Sequence, residues 1–209
     1  MNAGDSMRQI TPLMNATLFC VLTLTSFGQE HDKFEGWCSR LETASSPDLV
    51  QFLNSVIPNE ENGRCVTWAI DRLGKERYEP AIPSLVRLLD FRRPQTEGEE
   101  TMGGFGRVIF PAPVALELIG QKALPQLLRA IEVDRTSERA RQSAVEVWME
   151  IYRHTDEHPK GVADLAQEDI RSKDDAIKRR LKWAVQKAVT MCDAPELAAC
   201  QRAAEGAAP

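Results

Sequence analysis

From Ser46 onward the chain alternates between apolar stripes at helical spacing and brief breaks rich in Pro, Gly or charge. Leu49, Phe52, Leu53, Val56 and Ile57 follow Ser46-Pro47-Asp48. That tripeptide reads as a helix start: serine at the cap, proline in the first turn, an acid near the positive end of the dipole. Pro58 stops the run. Cys65, Val66, Ala69, Ile70 and Leu73 lie on one face of a helix expected over 60–73, with Gly74 as its stop. Ile82, Leu85, Val86, Leu88 and Leu89 mark the next, over 80–90. Further helices are expected over 113–119, 122–132, 137–152, 162–170 and 174–191. No segment alternates with period two for long enough to make a strand. The pattern therefore predicts an all-α protein of about eight helices, with residues 194–209 an Ala-rich, frayed tail.

One phrase occurs twice. Ala69-Ile70-Asp71-Arg72-Leu73-Gly74 is followed by Ala81-Ile82-Pro83-Ser84-Leu85-Val86-Arg87. Ala115-Leu116-Glu117-Leu118-Ile119-Gly120 is followed by Ala123-Leu124-Pro125-Gln126-Leu127-Leu128-Arg129. A helix, a glycine and a second helix opening on apolar-Pro form one unit, which predicts a short α-solenoid of antiparallel helix pairs. The proline falls in a first turn, where a missing N–H costs little. Between the copies lies an insert, 91–108, holding Pro94, Gly98, Gly103, Gly104 and Gly106 among Glu97, Glu99 and Glu100.

These units resemble the HEAT-repeat family, in particular the short HEAT-like repeats of the phycobilisome-lyase type. Arg64, Ala69 and Leu73-Gly74 stand where that family's first helix carries them. Residues 81–89 resemble its second helix, and 113–132 match again with a tighter turn. The resemblance is clearest over 60–152 within a repeat domain spanning 29–192. It implies a protein-binding scaffold. The lyase chemistry of some relatives does not carry over, because no residue set here would support it.

The N-terminus changes the compartment. Arg8 precedes the apolar stretch 16–25, and Ser26-Phe27-Gly28 places small residues at −3 and −1 of a cut before Gln29. Residues 1–28 thus read as a secretory signal, with an uncleaved anchor or a buried helix as alternatives. Phe19 before Cys20 excludes a lipoprotein site. The mature chain would keep Cys38, Cys65, Cys192 and Cys200. Exported chains with an even cysteine count favour disulfides, and local loop closure favours Cys38–Cys65 and Cys192–Cys200 over free buried thiols. The formal net charge of −5 gives no basic field for nucleic acid. Aromatics at 6% suit Ala- and Leu-packed helices.

Three segments could carry chemistry. His154-Thr155-Asp156-Glu157-His158 offers metal donors, His154, Asp156 and His158, in a stretch that reads first as a solvated turn. Phe105 and Arg107 sit in the glycine-rich insert, which lacks a phosphate-loop signature and reads as a loop or a partner contact. Arg179, Trp183 and Lys187 recur every fourth residue and form a basic-aromatic face for an acidic partner or, more weakly, an anionic membrane. Glu61, Asp71, Glu117 and Asp156 read as scattered wet carboxylates. No nucleophile elbow, His-Glu-x-x-His or kinase signature is present, and no cofactor is implied. The expectation is a non-catalytic protein-binding scaffold of the extracytoplasmic space. The alternative is a metal module or hydrolase built on His154–His158.

Overall fold

Ser45, not Ser46, caps the first long helix: its N–H donates to the Asp48 carboxylate at 3.2 Å. The Ser45 hydroxyl donates to the same carboxylate, and that bond, followed by the one from the N–H, holds the Asp48 carboxyl below its ordinary range. The computed structural model describes residues 38–94 and 109–206. It divides into two units, one ending at Thr43 and one running from Ala44. In the first, residues 38–42 are helical. The second holds nine helices among the described residues: α1 Ser46–Ser55, α2 Gly63–Lys75, α3 Ile82–Arg87, α4 Pro111–Ile119, α5 Leu124–Glu132, α6 Glu138–Arg153, α7 His158–Arg171, α8 Asp175–Val189 and α9 Leu197–Ala204. Every regular element is helical, so the protein is all-α among the described residues. Among the described residues, no helix is long and apolar enough to cross a membrane. The signal segment lies outside the described residues.

Helix ends depart from the periodicity for local reasons. Val56 is already extended (φ −102°, ψ 146°), one residue ahead of Ile57, which Pro58 disfavours in the α region. Ile57 is left 85% exposed. α3 is shorter than expected, since Glu79–Ala81 forms a tight 3₁₀ turn ahead of it. Pro83 and Pro125 both sit in first turns. Asp174 caps α8 by accepting from Ala176 and Ile177 N–H at 2.7 and 3.0 Å. Ser137 caps α6 by accepting from Ala140 N–H at 3.1 Å.

Packing is almost wholly between near neighbours. α1 packs on α2 and α3, α2 on α4, and α3 on α4 and α5. α4 and α5 pack on α6, α6 on α7 and α8, and α7 on α8 and α9. The longer reach of α5 to α8 is held at its edge by Arg180 and Asp134, 2.9 Å apart. Equivalent positions of the doubled phrase are buried in both copies: Ala69 with Ala115, Ile70 with Leu116, Leu85 with Leu127, Leu89 with Ile131.

The glycine of the phrase is a different matter. Gly74 does not stop α2. It lies inside the helix and meets α4 so closely that a Cβ would stand 2.7 Å from the Ala115 Cα. The stop comes at Arg77, in the left-handed region at φ 51°. There Arg77 N–H donates to Gly74 O and Tyr78 N–H to Leu73 O, both at 3.0 Å, which is a Schellman cap. Gly120 does end its helix, at φ 80° and ψ −145°.

Among the described residues of the Ala-rich C-terminal stretch, Leu197–Ala204 is helical rather than frayed. α9 buries Cys200 and Ala203 against α7 and α8. Small side chains let it approach closely, and Cys192–Cys200 closes its connection with Cα atoms 6.7 Å apart. Cys38 and Cys65 are disulfide-bonded as well.

Candidate functional site

The pentapeptide 154–158 is the turn between α6 and α7. His154 is the cap of α6, and Asp156 takes a left-handed conformation at φ 55°. Aspartate tolerates this better than most residues, because its short polar side chain relieves local strain. Asp156 N–H donates to Arg153 O at 3.1 Å, and Glu157 N–H to Tyr152 O at 3.0 Å. A second Schellman cap results. α7 then starts at His158, four residues before the expected Val162, with Pro159 in its first turn.

This reversal separates the two histidines. His158 is buried, and its Nδ1 lies 2.7 Å from Glu196 Oε2 ahead of α9. His154 remains at the exposed end of α6. Among the described residues, His154, Asp156 and His158 do not converge; a different trio does. Glu117, Glu150 and His154 place one donor atom each within 4.8 Å of one another. Glu117 comes from the last turn of α4, Glu150 from the last turn of α6, and His154 from its cap. Glu150 is only 7% exposed, and Arg153 Nη1 stands 3.4 Å from its Oε1. Glu117 is half-buried. A signal was available: Glu150 and His154 stand at i and i+4 across one helix end.

The helices on either side of the turn are locked together. Trp148 Nε1–H donates to Gly161 O at 3.0 Å. The Tyr152 hydroxyl donates to Asp164, whose carboxylate also receives Lys160 Nζ at 2.9 Å. Burial, together with Asp164, pushes the Tyr152 phenol far above its ordinary range. Gly161 lets the Tyr152 ring lie flat on the backbone, since a Cβ there would stand 2.8 Å from the ring.

Of the expected partner contacts, Phe105 and Arg107 lie outside the described residues. Arg179 is exposed on α8, with Trp183 and Lys187 half-buried on the same helix. Three cation–aromatic pairs escaped the sequence reading, one of them Lys160 over Tyr152 at 5.0 Å. Arg72 stands over Trp68 at 5.5 Å on α2, and Arg139 over Phe110 at 4.4 Å. The pair on α2 repeats the i, i+4 spacing of Arg179 and Trp183. The base of the insert is closed: Arg93 N–H donates to Ile109 O at 2.9 Å. A cavity of about 530 Å³ lies between α7, α8 and α9, with Asp169, Lys182, Gln186 and Glu205 on its wall. Compared with known sequence families, curated proteins and solved structures, the chain finds no match in any of the three.

Proposed function

We propose that this chain is an exported helical-repeat protein of the HEAT-like type, a short solenoid of antiparallel helix pairs that binds another protein without catalysis. The observation that carries this reading is the packing: apart from α5 with α8, helices touch those one or two places along, and both copies of the phrase bury equivalent positions. Units that bury their apolar faces on one another leave the remaining faces in a row, which is the surface repeat proteins use for partners. The disulfide-bonded cysteines agree with an oxidising compartment. Arg72 with Trp68 on α2, and Arg179, Trp183 and Lys187 on α8, are the anchors this reading selects, because Arg and Trp dominate interface energies. The rival metal or hydrolase reading on His154–His158 draws less support, because His158 Nδ1 is paired with Glu196 and His154, Asp156 and His158 do not gather their donor atoms.

The test places a photoreactive residue at 183 and, in a second protein, at exposed position 61, and illuminates each in the extracytoplasmic fraction of the native source. The expected result is one discrete adduct at 183, lost when Arg179→Glu and Lys187→Glu are added. Equal labelling from both positions, or none from 183, would sink the scaffold reading.

A further inference from the structure

We propose that Glu117, Glu150 and His154 form a binding site for one divalent transition-metal ion of the zinc type, which clips α4 to α6. The three donor atoms already lie within 4.8 Å of one another. Zinc–nitrogen and zinc–oxygen bonds of about 2.0–2.2 Å put ligand atoms roughly 3.4–4.4 Å apart, so rotamer adjustments of about 1 Å complete the site. The imidazole selects the class: two carboxylates alone suit calcium or magnesium, whereas imidazole with carboxylates suits zinc and its neighbours.

Local electrostatics favour a cation at this place. Two carboxylates share the space, and one of them, Glu150, is buried. Both are carried by the last turns of helices, where unsatisfied carbonyls give the axis its negative end. The Arg153 guanidinium, 3.4 Å from Glu150 and 57% exposed, is free to swing outward when an ion enters. Three protein donors leave coordination positions for water. This inference does not depend on the protein-binding reading.

The experiment uses the full chain, stripped with chelator and titrated calorimetrically with zinc sulfate at neutral pH. The expected result is one zinc per chain, with His154→Ala and Glu117→Gln each weakening binding at least tenfold. Asp156→Asn, which alters the neighbouring turn without touching the trio, keeps wild-type affinity. Zinc raises the thermal midpoint of the wild type and leaves that of His154→Ala where it was. Affinity falls on acidification, because the ligands must shed protons to bind. Absence of a one-to-one isotherm overturns the proposal. So does unchanged affinity in His154→Ala, or an equal loss in Asp156→Asn.

Discussion

The two copies of the helix–glycine–helix phrase use the same letter for different physics. In the first copy, Gly74 serves packing: its missing Cβ lets α4 approach until Ala115 fills the space. In the second, Gly120 serves conformation: at φ 80° it turns the chain, and nothing lies within 4 Å of where a Cβ would sit. The first copy assigns its turn to Arg77 instead, at φ 51°. A repeat can therefore keep its letters while moving the constraint from one element to another.

That comparison can be broken by substitution. Gly74→Ala gives the largest expected effect. Helix propensity alone would favour alanine by about 1 kcal/mol. Overpacking against the Ala115 backbone reverses the sign and leaves a loss of about 2 kcal/mol. Urea unfolding decides it, and a stabilised variant would show that α2 and α4 do not meet as described. Gly120→Ala costs about 1–2 kcal/mol through backbone strain alone. A D-alanine placed at 120 by semisynthesis should restore wild-type stability; if it does not, space rather than conformation governs the site.

Arg77→Gly works in the opposite direction. Relief of the left-handed strain, about 1 kcal/mol, outweighs the added freedom of the unfolded chain and yields a net gain of roughly 0.5 kcal/mol. A loss would mean that the Arg77 side chain matters more than its backbone. The smallest effect concerns Asp71. Desolvation by the surrounding chain raises its carboxyl above the ordinary aspartate range, despite Lys75 and Arg93. The stability it contributes is intact below that range and declines as pH rises through the raised folded value. Asp71→Asn removes the decline, so it should gain a few tenths of a kcal/mol at neutral pH, screened by solvent, and nothing in acid. Denaturant midpoints measured across pH check this; a gain that persists in acid would assign it to packing.

Much of the fold was legible because it is spelled locally. Helix starts at Ser137 and Asp174 are written in side chains that accept from their own first turns. Pro83 and Pro125 mark first turns for an equally local reason. What was not legible depends on contact. Nothing in the letters around Gly74 says that Ala115 lies across from it. α9 carries little apolar volume, yet Cys200 and Ala203 bury well because small residues let helices approach. The trio was hidden for the same reason: Glu117 and Glu150 meet only after α4 and α6 pack. The pentapeptide drew attention to neighbours in sequence, and its left-handed Asp156 sends them to different elements.

The hydrogen bond from Arg93 to Ile109 has an evolutionary consequence. The described residues on either side of the 95–108 segment are held together at that bond. A change in the length of what lies between therefore adds only loop-closure entropy, about 0.6 kcal/mol for each doubling. Insertions and deletions are tolerated there more readily than inside any of the nine helices.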